Sequence, residues 1–196
     1  MKISTVIRRA PVIVRNAVRY LKYGRPLGGT AKTRYAHLGA FDGGNSTWDD
    51  MDRLFAGIRI GADDVIVDVG CGKGRSINWF LDHYPQTRIV GIELDPDLCA
   101  TTARRLRRHA NVSIVCGDVT ELLPVDGTIF YVFNPFDGAV MARFAEAVAA
   151  TRSGAPATIA YLNCKFVDVF ESDPRFEVRM LDDPRLSFRS AIVTLR

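Results

Sequence analysis

Three acidic residues each stand in or just beyond an apolar stretch of this chain: Asp68 within Val65-Ile-Val-Asp-Val69, Glu93 after Ile89-Val-Gly-Ile92, and Asp118 after Val112-Ser-Ile-Val-Cys-Gly117. Carboxylates at strand ends accept hydrogen bonds from ribose hydroxyls and base amines. Between the first two lies Gly70-Cys-Gly-Lys-Gly74, with glycine at alternate positions. Such a loop turns sharply with positive φ and lets a ligand lie against bare main chain. The pattern points to a nucleotide-type ligand, and spacing narrows the choice. The dinucleotide fingerprint G-x-G-x-x-G needs its third glycine where this chain has Arg75, and no Lys-Ser/Thr pair follows as a phosphate-binding Walker loop requires.

The acidic, glycine-rich loop resembles the first motif of class I S-adenosylmethionine (SAM) dependent methyltransferases. Asp-Val-Gly-Cys-Gly-Lys-Gly, Gly-Ile-Glu, Gly-Asp-Val and Asn-Pro-Phe, taken together, are also similar to the seven-stranded, non-SET histone lysine methyltransferases and to small bacterial proteins of related pattern. The resemblance covers about residues 60 to 145. It implies SAM as cofactor, with contacts from Asp68, Gly70, Cys71, Gly72, Gly74, Glu93, Leu94, Asp118, Val119 and Asn134. Glu93 matches the ribose acid, and Asp118 with Val119 matches the adenine-edge pair. The methyl of a sulfonium is already activated, so the protein mainly has to align the nucleophile. Asn134-Pro135-Phe136 looks like a device for a nitrogen acceptor: the Asn side-chain oxygen and the following carbonyl accept two N–H bonds while the aromatic packs on the substrate. Asn134 and Phe136 are therefore the catalytic candidates. The stretch lacks the second proline of the Asn-Pro-Pro-aromatic motif of amino-group methyltransferases, so nucleobase-amine or glutamine chemistry is not assured.

The elements that must position these residues alternate. Val65–Val69 reads as a buried strand, Ser76 to Tyr84 as a helix stopped before Pro85, Arg88 to Glu93 as a strand, and Pro96 to about His109 as a helix with Asp95 at its cap. Val112 to Cys116, Thr128 to Phe133 and Ala157 to Asn163 read as strands, with a helix over Gly138 to Thr151. Strands alternating with helices imply βαβ units and a parallel sheet. Phe176 to Leu181 and Phe188 to Leu195 flank the turn residues Asp182-Asp-Pro-Arg185 and read as a hairpin-like pair. The expected fold class is α/β: a Rossmann-like, doubly wound, mostly parallel seven-stranded sheet, whose last antiparallel strand inserts beside the fifth by the family resemblance.

Ahead of the sheet, Ser46 or Thr47 caps a short helix with Trp48, Met51, Leu54, Phe55 and Ile58 as its apolar stripe. Gly24 to Asn45 is rich in glycine and turn residues and reads as an irregular, lid-like segment. Residues 3 to 23 read as a basic amphipathic helix around Pro11. We divide the chain into residues 1–45, a basic helix and glycine-rich segment, and residues 46–196, the methyltransferase domain.

Charge is unevenly distributed. Residues 1–34 hold nine basic side chains and no acid, while the rest carries 26 − 9 = 17 basic against 22 acidic residues, a net of −5. An anionic surface is a candidate partner for the arm, although its apolar stripe lacks Trp or Phe and suits docking on the domain better. Cys71, Cys99, Cys116 and Cys164 form no C-x-x-C pair, and His37, His83 and His109 share no ligand spacing with them, so reduced thiols and no metal are expected. No apolar run reaches the roughly 18 residues of a membrane span. A cytoplasmic location is expected, with peripheral membrane contact open to the arm. The leading function is SAM-dependent methyl transfer to a nitrogen of a protein side chain or small molecule. A SAM-binding regulatory protein without turnover and a basic-arm module for anionic lipid or nucleic acid are the alternatives.

Overall fold

The computed structural model describes Leu27, Gly29, residues 32–44 and residues 46–196. Seven strands form its sheet: β1 Val65–Val69, β2 Arg88–Glu93, β3 Val112–Cys116, β4 Ile129–Val132, β5 Ala157–Leu162, β6 Phe176–Leu181 and β7 Ser190–Leu195. Their order is β3-β2-β1-β4-β5-β7-β6. The first five pair in parallel, and β7 runs antiparallel to both β5 and β6. The last strand thus lies between the fifth and sixth, the insertion expected from the family resemblance. Order reverses between β1 and β4, and the crevice beyond the strands' carboxyl ends is where open α/β sheets bind ligands.

Both faces of the sheet are covered, which explains the unbroken apolar run of β1, buried at all five positions. Successive side chains point to opposite faces. Val65, Val67 and Val69 accordingly join one apolar cluster with Phe130, Phe144 and Phe170, while Ile66 joins the other with Trp48, Trp79 and Phe80. The helices are α1 Trp48–Phe55, α2 Arg75–His83, α3 Pro96–Leu106, α4 Gly138–Thr151 and α5 Asp168–Glu171. The Thr47 side chain caps α1 through the Asp50 amide, and Asp95 caps α3 through the amides of Asp97 and Leu98. The α1 stripe Trp48, Met51, Leu54 and Phe55 is core, as its spacing predicts.

Several boundaries differ from the sequence reading. Helix α3 stops at Leu106 rather than near His109, because the His109 amide bonds the Leu106 carbonyl at 2.9 Å in a tighter turn. Strand β7 begins at Ser190, not Phe188: the Ser190 hydroxyl donates to the Phe188 carbonyl at 2.9 Å, while the Phe188 ring packs 5.2 Å from Phe133. The 3₁₀ turn Ala36–Leu38 and the single-turn α5 are too short to leave a periodic signal. The basic helix expected over residues 3–23 lies outside the described residues. All four cysteines are free thiols, and no helix among the described residues is long and apolar enough to cross a membrane.

Candidate functional site

The glycine loop, the ends of β1 to β4, Gly29 and residues 32–44 enclose one cavity. Asp68, Gly70, Cys71, Gly72, Glu93, Leu94, Asp118, Val119, Asn134 and Phe136 all line it. Among the cofactor-binding candidates only Gly74 stands back, at the N-cap of α2, where an added Cβ would press on Arg105 and Thr102 at 2.7 and 3.0 Å.

Four of the loop's five amides are spent within the protein. Gly70 and Cys71 donate to the Ile92 carbonyl at 2.9 and 3.0 Å, and Gly74 to the Cys71 carbonyl at 2.7 Å. Gly72 donates to Glu93 Oε2 at 2.8 Å, while its own carbonyl accepts from Thr102 Oγ1 at 2.8 Å. A pyrophosphate is held by free main-chain N–H groups. At these four positions none is left, so the loop offers contact surface rather than a phosphate cradle. Gly72 has φ +51° and nothing within 4 Å of where a Cβ would sit, so the space above it is open.

Glu93 does more than its strand-end position reveals. Its Oε2 holds Gly72 and its Oε1 accepts from the Asp95 amide at 2.9 Å, so it fastens the glycine loop to the start of α3. A carboxylate has about four lone-pair sites, which leaves acceptor capacity for a pair of ribose hydroxyls. Asp118 Oδ1 accepts from the amide and hydroxyl of Thr120, both at 2.8 Å. Its other oxygen has no partner among the described residues. Asp68 is fully buried, accepts from the Ser76 hydroxyl and is pushed up to about 7, chiefly by desolvation against the lowering effect of that bond. Burial also drives the Cys71 thiol far above its ordinary range, so it is an inert wall and not a nucleophile.

Residues 32–44 cover this cavity. Ala40 bridges Phe136, the Phe41 amide donates to the Pro135 carbonyl at 2.9 Å, and the Asp137 amide donates to the Gly39 carbonyl at 2.9 Å. Arg34 reaches Asp95 at 3.0 Å and Asp97 at 2.7 Å, tying the cover to the cap of α3. The lid-like reading of this segment agrees with where it lies.

The Asn134 device is already engaged. Tyr161 donates its hydroxyl proton to Asn134 Oδ1 at 3.1 Å while its oxygen receives the Phe166 amide at 3.4 Å. Burial raises the Tyr161 phenol above its usual range and keeps that proton in place. The Pro135 carbonyl, the second acceptor of the device, holds Phe41. Phe136 is 6% exposed, with its ring 5.9 Å from Phe144, so most of it is core. Asn134 and Asn163 end β4 and β5 with φ of +43° and +55°, the described non-glycine residues with positive φ. Such backbone is concentrated at functional sites. A second cavity joins them, bounded by Phe41, Asp42, Phe133, Asn134, Asn163 and Lys165. Tyr161, Asn163, Lys165 and the lid contacts escaped the sequence reading. An Asn closing each of two consecutive strands was the one signal available.

Residues 66–154 match the family model described as a methyltransferase domain. The chain is 34% identical over 71 residues to trans-aconitate 2-methyltransferase of Methylobacterium nodulans, covering 36% of this chain and 26% of that protein. It is 32% identical over 82 residues to malonyl-[acyl-carrier protein] O-methyltransferase of Acetivibrio thermocellus, covering 38% and 29%. The chain therefore spans less than a third of the length of these curated relatives. In fold it is similar to an RNA methyltransferase from Salinibacter ruber solved with S-adenosyl-L-homocysteine, at TM-score 0.55 and 21% identity over 77% of this chain and 92% of that one. Residues 66–154, with the motifs and strands β1 to β4, are similar to a methyltransferase domain, and the seven-stranded sheet is the fold of the class I, SAM-dependent methyltransferases.

S-adenosylmethionine is the cofactor of that class, and the cavity fits it. Open space over Gly72, carboxylates at three strand ends and the cations Lys32, Lys73 and Arg75 suit a ligand that carries a sulfonium, an ammonium, a carboxylate and a ribose.

Proposed function

We propose that this chain is a SAM-dependent methyltransferase acting on an acceptor that reaches the methyl group from the second cavity, beneath Phe41 and beside Asn134. The observation that carries this reading is the pair of adjoining cavities sharing Phe41, Asp42, Gly44, Phe133 and Asn134. One is shaped by the cofactor motifs, the other opens at the Asn-Pro-Phe stretch. The cofactor supplies an electrophilic methyl on a positive sulfur. The chain's own residues bind, orient and exclude water: Glu93 and Asp118 accept from the nucleoside, the glycine loop gives it a flat floor, and the segment 32–44 shields the reaction from solvent.

Asn134 lies at the junction of the two cavities and positions the acceptor, with Phe136 supporting it from the core. The Asn134 and Pro135 oxygens of the Asn-Pro-Phe device each accept one bond, from Tyr161 and Phe41, and each keeps a second lone pair. In the same proposal residues 1–45 are the basic and glycine-rich segment ahead of the methyltransferase domain of residues 46–196, and the location is cytoplasmic. Incubation of the full chain with methyl-deuterated SAM and cell extract, followed by mass spectrometry, tests it. Acceptors gaining a CD3 group support the reading, and S-adenosylhomocysteine binding with no labelled product would instead support a SAM-binding protein without turnover.

A further inference from the structure

Resting on the methyltransferase reading, we propose that the second cavity is the acceptor subsite and takes a carboxylate carried on a flat apolar body. Phe41 and Phe133 wall it, and Gly44 lets the main chain lie close to the Phe133 ring, which a Cβ there would meet at 3.3 Å. Phe41 is 40% exposed, with its outer side stacked on Phe166 at 6.2 Å. Aromatic faces of this kind suit a planar apolar ligand.

The polar groups around these rings are chiefly donors. Tyr161 donates to the Asn134 oxygen, which leaves Nδ2 as the donor group of that side chain. Lys165 and Asn163 line the same space, and neither side chain has a hydrogen-bond or ion-pair partner among the described residues. Asp42 is the one carboxylate there, and its Oδ1 already accepts from the Thr33 amide at 2.9 Å. A carboxylate entering this space would meet one cation and the side-chain amides of Asn134 and Asn163.

The reaction itself points the same way. An alcohol or ammonium acceptor must lose a proton, and with His37, His83 and His109 lining neither cavity that proton would fall to Asp42. A carboxylate is already ionised at neutral pH. Its oxygen supplies the electron pair of the new C–O bond, the methyl–sulfur bond breaks, and that pair stays on sulfur. The products are a methyl ester and S-adenosylhomocysteine, and no proton moves.

The test uses the full chain saturated with S-adenosylhomocysteine, whose binding is measured first by calorimetry. Benzoate and cinnamate, with benzamide and benzylamine as neutral and cationic counterparts, are then titrated by saturation-transfer NMR. Both carboxylates should bind about tenfold or more tightly than their counterparts, as one charge-assisted contact implies. Lys165→Met should weaken benzoate by about tenfold on the same scale and leave S-adenosylhomocysteine affinity unchanged, with Lys165→Arg retaining most of the binding. Benzylamine or benzamide binding as well as benzoate overturns the proposal, as does a Lys165→Met variant with unaltered benzoate affinity or a loaded protein that binds no carboxylate. If S-adenosylhomocysteine itself fails to bind, the methyltransferase reading falls and this proposal with it.

Discussion

Replacing Glu93 separates its hold on the glycine loop from the ribose contact proposed for it. Glu93→Ala deletes the acceptor of both the Gly72 and the Asp95 amides, at 2.8 and 2.9 Å. Hydrogen bonds to a charged group contribute about 1.5–3 kcal/mol each, which sets a ceiling of about 3–6 kcal/mol for the pair. Glu93 is only partly buried, so water replaces much of what is lost. A cost of about 2 kcal/mol is expected, which lowers the Tm of a chain this size by roughly 4–8 °C. Glu93→Gln keeps one oxygen and should fall between the variant and the parent. Loss of the ribose acceptor should weaken S-adenosylhomocysteine by a further ten- to hundredfold, about 1.4–2.8 kcal/mol. Differential scanning calorimetry of the ligand-free proteins and titration of the ligand read the two effects separately. An unchanged ligand-free Tm in Glu93→Ala would refute the fastening of the glycine loop, and unchanged affinity would move the ribose contact elsewhere.

Two glycines should fail in opposite ways. Gly91→Ala places a Cβ 2.8 Å from Cys71 Sγ and from the Cδ1 atoms of Ile77 and Ile114, so it should cost about 1–3 kcal/mol by overpacking, seen as a lowered denaturation midpoint. Gly72→Ala meets no protein atom within 4 Å and pays only the left-handed backbone penalty of about 1–2 kcal/mol, yet it should lose most ligand affinity in calorimetry. The buried Asp68 is raised from 3.8 to about 7, so the stability it contributes is fully present below 3.8 and is lost as pH rises through 7. Ligand-free parent protein should therefore lose stability relative to Asp68→Asn between pH 5 and 8 in urea titrations; parallel pH curves would remove this account of Asp68. Arg34→Ala breaks solvent-screened ion pairs, so Tm should hardly move, while the Phe41 amide should exchange its hydrogen faster.

The cofactor half of the site was legible because each of its parts is local. Asp68, Glu93 and Asp118 each sit at a strand whose apolar run announces it, and Asp95 precedes the proline that opens α3. The pairing of β6 with β7 was readable from the turn chemistry of residues 182–185, whereas the insertion of β7 beside β5 came from family resemblance. What sequence reading could not reach are contacts between distant segments. Phe41 occupying the Pro135 carbonyl and Tyr161 occupying Asn134 arise only when the lid and β5 meet the end of β4. Asn-Pro-Phe by itself carries no sign of these two partners. The second task of Glu93 was hidden for the same reason: its ribose role follows from position, but its hold on Gly72 depends on how the loop folds back over β2.

Calorimetric titration of the full chain with SAM, S-adenosylhomocysteine and NAD tests the central claim most directly. The amides of Gly70, Cys71, Gly72 and Gly74 are all spent within the protein, while carboxylates at three strand ends face the cavity. SAM and S-adenosylhomocysteine should bind at one site per chain, with NAD giving no heat of binding. Saturable NAD binding without any response to SAM or S-adenosylhomocysteine would contradict the account.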